Sequence, residues 1–137
     1  KVSEGEWAQD YHDHPVAKTH FPPPVHPCAL YVDVVPFTNY DAFVGFFVHS
    51  LVTGRRHLCA LLKKSTLCRC GCRGWCSFAV VFNFLAWSFG ALAKRVWPNA
   101  RHDGEPWAEE DANRRDMALS QLALVAAIVL IKGDWME

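Results

Sequence analysis

Four cysteines fall within nine residues of this chain, Cys68-Arg-Cys70-Gly-Cys72-Arg-Gly-Trp-Cys76, and no other feature restricts the fold as tightly. Thiols at this density share a metal ion, pair as disulfides, or stay reduced. Gly71 and Gly74 allow the backbone to wrap closely around an ion, and Arg69 and Arg73 offset thiolate charge. Zinc takes four such ligands tetrahedrally at about 2.3 Å. Cys68, Cys70, Cys72 and Cys76 are therefore the expected zinc ligands, with Cys59 and His57 upstream. The spacing is not the paired C-x₂-C pattern, so reduced structural or redox-sensitive thiols and disulfides stay open. Thiols one residue apart pair poorly, and the polar, His- and Pro-rich start of the chain does not resemble a secretory signal.

Charge is balanced overall, with 14 basic and 14 acidic residues, but unevenly placed. Between Asp41 and Asp103 there is no acid, while Arg55, Arg56, Lys63, Lys64, Arg69, Arg73, Lys94, Arg95 and Arg101 contribute nine positive charges. An uncompensated stretch of this size is an electrostatic footprint for phosphate. Within it, Arg55, Arg56, Lys63, Lys64, Arg69 and Arg73 are the expected nucleic-acid contacts. The plainer alternative is a solvated face whose partner acids lie in the 103–116 segment.

At 137 residues, 51% of them hydrophobic, the chain is long and apolar enough for one domain with a real core. Residues 1–27 hold five of the eight prolines and four of the seven histidines, and read as a linker with an extended PPP run. From Cys28 onward, runs at 29–35, 43–52 and 56–62 alternate with short turns, which predicts three antiparallel strands. Phe78, Phe82, Leu85, Phe89, Leu92 and Val96 recur at helical spacing and predict a helix that ends before Pro98. A short helix over 108–119 and an apolar strand over 122–131, buried on both faces, complete the order β-β-β-α-(α)-β. The helical crossover predicts a last strand parallel to an earlier one. The apolar runs at 78–93 and 118–131 fall short of the roughly 20 residues a membrane span needs.

Asp33 interrupts an otherwise apolar strand, and Asp134 follows the last strand after Gly133. A carboxylate among apolar neighbours needs a partner, and ligands gather beyond the carboxyl ends of parallel strands. If the first and last strands are parallel neighbours, both acids can serve one site for Mg²⁺ or Mn²⁺, the hard cations of phosphoryl transfer. Pairing of Asp33 with an arginine, and a turn-forming role for Asp134, are the plainer alternatives.

The strand-and-helix order, LYVDVVPFTNYDAFVGFF around Asp33 and IVLIKGDWME around Asp134 resemble the ribonuclease H-like domain of DDE transposases of the CACTA and Plavaka-like type, over residues 28–137. That resemblance implies an α/β fold with a ribonuclease H-like mixed sheet truncated at its C-terminus, carrying a Cys-rich insert at 68–76. It also implies metal-dependent DNA cleavage and transfer, with Asp33 and Asp134 catalytic. The family's third acidic residue has no counterpart here, so the expected partners are DNA and the rest of a longer polypeptide. The expected location is intracellular, in the nucleus, away from membranes. A decayed mobile element with the fold and no activity, a non-enzymatic zinc-binding nucleic-acid module and a small membrane-associated protein are the competing readings.

Overall fold

The computed structural model describes residues 9–19 and 25–133. Its centre is a four-stranded sheet of β1 (His26–Pro36), β2 (Ala42–Ser50), β3 (Arg56–Lys63) and β4 (Ala126–Gly133), in the order β3-β2-β1-β4. The first three strands form an antiparallel meander, and β4 lies parallel to β1, reached through α3 (Trp75–Lys94) and α4 (Ala112–Met117). The class is therefore α/β with a mixed sheet.

The meander is set by turn chemistry. Between β1 and β2, the Thr38 hydroxyl accepts from the backbone N–H groups of Tyr40 and Asp41, closing the bend locally. Between β2 and β3 the chain turns through Gly54 at φ +71°, and the buried Ser50 hydroxyl accepts from the Thr53 N–H at 3.0 Å.

Side chains alternate across a sheet, and the two faces are treated differently. Leu30, Val44 and Phe46 point toward α3, where Val81 and Leu85 complete the buried core. Phe46 is fully buried, with Phe78 and Phe82 edge-on to its ring at centroid distances of 5.9 and 5.7 Å. The opposite face carries Tyr31, Asp33, Phe43, Phe47 and Leu61 by alternation. Leu58 and Leu61 there remain 54% and 51% exposed.

Several elements differ from their expected form. The segment read as a linker contains α1 (Gln9–Asp13) and α2 (Pro15–Thr19), whose Tyr11, Val16 and Ala17 pack on Val25, Val125 and Ala127. The Tyr11 hydroxyl also donates to the Val25 carbonyl at 2.6 Å. Proline composition hid this docking, because Pro15 sits at the first helical position, where its missing N–H costs nothing. The PPP run and His20 lie outside the described residues. Helix α3 stops at Arg95, a left-handed cap at φ 57°, so Val96 leaves the helix and bridges Gln121 instead. Strand β4 starts four residues later than expected and is an edge strand: among the described residues, none covers Leu130 and Ile131 in its second half, and both are exposed. At 20 residues, α3 is longer than the apolar run at 78–93 predicts. By length and composition it is able to cross a membrane, with only 11% of its apolar window buried.

Candidate metal centre

The chain leaves β3 through a 3₁₀ turn at Lys64–Thr66 and enters α3 through a tight loop that holds the four clustered cysteines. Three backbone reversals shape this loop: Gly71 at φ +89°, Arg73 at φ +53° and Gly74 at φ +88°. Gly74 is required twice over, since a Cβ there would also press on the Leu67 side chain at 3.2 Å. Hydrogen bonds then fix the knuckle to the first turn of α3. The Cys68 N–H donates to the Ser77 hydroxyl at 3.0 Å, and the Trp75 N–H to the Cys72 carbonyl at 3.1 Å.

The outcome is four sulfurs drawn together. The Sγ atoms of Cys68, Cys70, Cys72 and Cys76 all lie within 4.8 Å of one another. A zinc tetrahedron with bonds of about 2.3 Å has an edge of roughly 3.8 Å, and Cys70 and Cys76 already stand at 3.7 Å. All six cysteines are free thiols, and Cys28 and Cys59 lie apart from the knuckle on β1 and β3. The donor set is soft and complete in number, and its sulfurs are close enough together to share one ion, so these four residues can hold a metal ion such as zinc.

Electrostatics favour ionisation at one sulfur first. The Cys76 backbone N–H at the start of α3 donates to Cys72 Sγ at 3.3 Å. That bond, with the Cys70 and Cys76 thiols, draws Cys72 down to about 6. Cys76 is pushed up to about 12, chiefly by the sulfur of Cys72 and then Cys70. A metal replaces the shared protons of such a set with its own charge.

Asp41, just before β2, holds the turn that leads from β3 into the knuckle. Its carboxylate accepts from the N–H of Ala42 at 2.9 Å and of Ser65 at 3.1 Å, and meets Lys63 Nζ at 3.4 Å. The bonding to Ser65 leads the causes that hold this carboxyl below its ordinary range. Neither Asp41 nor Ser77 stands out in the sequence, because each acts through a residue distant in the chain.

Asp33 lies on β1 opposite Gly45 of β2, on the face away from α3, and Gly45 is overlain by the Phe47 ring. Among the described residues no cation reaches it within ion-pair distance, so the alternative of pairing with an arginine is not seen there. Asp134 lies outside the described residues. The parallel register ends with Val32 paired to Gly133, whose Cα approaches so closely that a Cβ would meet the Val32 carbonyl at 3.1 Å. The cysteine knuckle is the one group of three or more metal-ligating side chains among the described residues.

The basic residues divide into two sets. Arg55 and Arg56 stand at the start of β3, with the Arg56 guanidinium 6.0 Å from the Tyr31 ring centre. Lys64, Arg69 and Arg73 gather beyond the other end of β3. There they line a groove of about 540 Å³ beside Cys68 and Gly74. Lys63 is held by Asp41, and Arg101 by Asp103 at 2.7 Å. Among the described residues, the other seven cations of the acid-free interval have no acidic partner. Acids of the 103–116 segment pair instead with Arg101 and Arg114.

No family model, curated protein or solved structure matches this chain.

Proposed function

We propose that this chain is a zinc-stabilised nucleic-acid-binding domain, in which the cysteine knuckle holds one zinc ion and presents Lys64, Arg69 and Arg73 to phosphate. The supporting observation is the convergence of four sulfurs within 4.8 Å directly beside a groove lined by those three cations. Zinc would fix the loop that carries Arg69 and Arg73, and their guanidinium groups suit phosphate oxygens. Binding should therefore depend on metal as well as on salt. Removing one phosphate-binding cation should reduce the slope of log affinity against log salt by about 0.9 on a duplex. The test is the full chain against duplex and single-stranded DNA at several salt concentrations. The Arg69→Gln, Arg73→Gln double variant should lower the duplex slope by about twice that amount. Equal slopes in both proteins would reject this surface.

The sheet supports a second, enzymatic reading: a ribonuclease H-like polynucleotidyl transferase with Asp33 and Asp134 as ligands of Mg²⁺ or Mn²⁺. In its favour are the order β3-β2-β1-β4 and the parallel β1–β4 register, in which Val32 pairs with Gly133. The residues that follow these two in sequence are Asp33 and Asp134. Water-proton relaxation with added Mn²⁺ tests this without requiring turnover. Binding that persists unchanged in an Asp33→Asn, Asp134→Asn variant would eliminate the reading.

A further inference from the structure

Three indoles gather on the far side of α3, remote in sequence from the cysteine knuckle. Outside the set that meets the sheet, α3 contributes Phe84 on its flank and Trp87 on its far side, one turn apart. The segment after the helix is held in place by backbone pairing: the Trp97 N–H donates to the Ser120 carbonyl at 2.9 Å, and the Leu119 N–H to the Trp97 carbonyl at 3.0 Å. Trp107 is fixed through its ring N–H, which donates to the Pro98 carbonyl at 3.1 Å. Between these elements and α4 opens a cavity of about 460 Å³, within the range typical of small-molecule sites.

The chemistry of the walls narrows what fits. Trp87 and Trp107 meet at 6.1 Å and 64°, and His102 closes against Phe84 at 5.6 Å, leaving an angular set of aromatic surfaces. Phe84 is still 39% exposed. At the rim stand Arg101 and Arg114, the latter 5.4 Å from the Trp107 ring centre. The carboxylate on the wall, Asp111, is already matched by Arg114 at 2.8 Å. Both cations are already matched, Arg101 by Asp103 at 2.7 Å and Arg114 by Asp111 at 2.8 Å, but each guanidinium has five N–H donors and keeps some to spare. A flat heteroaromatic ring joined to an anion uses both the aromatic walls and those remaining donors.

We propose that this cavity binds a nucleotide, with the base against Trp87 and Trp107 and a phosphate at Arg101 and Arg114. The base stacks in the manner of single-strand-binding aromatic platforms, and each guanidinium retains N–H donors beyond its aspartate partner. The nucleotide comes either free or as one unit of a single strand. The strand source rests on the nucleic-acid reading above; the free source does not.

Indole fluorescence of the full chain, titrated with AMP, adenosine and an oligoadenylate of roughly eight residues, tests the proposal. Saturable quenching by AMP, by the oligoadenylate or by both is expected, and which of them binds identifies the source. Trp107→Ala should weaken it about five- to hundredfold, the usual range for losing one stacked base. Arg101→Gln, a surface change that leaves the aromatic wall intact, should weaken AMP but not adenosine. The Arg69→Gln, Arg73→Gln variant should bind AMP as tightly as the parent, so failure of the knuckle surface and failure of this cavity give different results. No quenching by AMP or oligoadenylate up to about 10 mM would overturn the proposal. So would quenching unchanged in both Trp107→Ala and Arg101→Gln with native circular dichroism, or quenching by phosphatidylcholine vesicles alone.

Discussion

The two faces of the sheet are built from the same kinds of residue and carry different duties. On one, Leu30, Val44 and Phe46 lie under α3 and form the core. On the other, Leu58 and Leu61 stay half exposed, and among the described residues α1 and α2 cover the end near Val125 and Ala127. The two faces contribute unequally to stability. Apolar area lowers the free energy of the fold only when it leaves water, so the α3 face determines whether the chain folds. The other face leaves side chains such as Asp33 accessible.

Mutations on the two faces should therefore separate widely. Phe46→Ala removes the ring that Phe78 and Phe82 pack against, and should cost about 3–5 kcal/mol in denaturant unfolding. A cost below about 1 kcal/mol would mean that α3 does not seat on the sheet as described. A smaller loss is expected where the covered face meets the knuckle. Gly74→Ala forces a Cβ onto a backbone at φ +88° and against Leu67, and should cost about 1–2 kcal/mol. It should weaken metal uptake in the same protein, whereas Gly54→Ala, strained but open, should leave metal uptake unchanged.

The Asp41 staple gives a pH test. Its folded pKa is lowered, so its contribution to stability is present above the unfolded carboxylate value of about 3.9 and is lost as pH falls through the lower folded value. Thermal unfolding between about pH 5 and 2 should steepen for the parent relative to Asp41→Asn. Parallel curves would show that the bonds to Ser65 and Lys63 do not form in solution. The smallest effect belongs to the open face. Leu61→Gln should change stability by no more than about 0.5 kcal/mol, and a loss comparable to that of Phe46→Ala would mean that this face is covered after all.

Parts of this arrangement are readable from local pattern alone. The three meander strands and α3 announce themselves because alternation and helical spacing are properties of contiguous residues. The cysteine knuckle is legible for the same reason: its ligands span nine residues, and the two glycines that bend it lie between them. What escapes depends on docking. Pro15, Val16 and Ala17 look like a linker until Val125 and Ala127 are placed beside them. His102-Asp103-Gly104 reads as a turn, and the Gly104 N–H does bond the Arg101 carbonyl. Nothing local tells that His102 then meets Phe84 and Trp87. A trace of that cavity is nonetheless visible, since Phe84 and Trp87 stand three apart on the helix stripe that the core-facing residues leave unused.

The zinc knuckle rests on four sulfurs, and native mass spectrometry of the full chain with thiol alkylation examines them directly. One zinc per chain is the expected result, with Cys68, Cys70, Cys72 and Cys76 protected from alkylation until a chelator is added, and zinc absent from Cys72→Ser. Metal-free protein in added zinc, with those four thiols reacting as readily as the exposed Cys59, would contradict it.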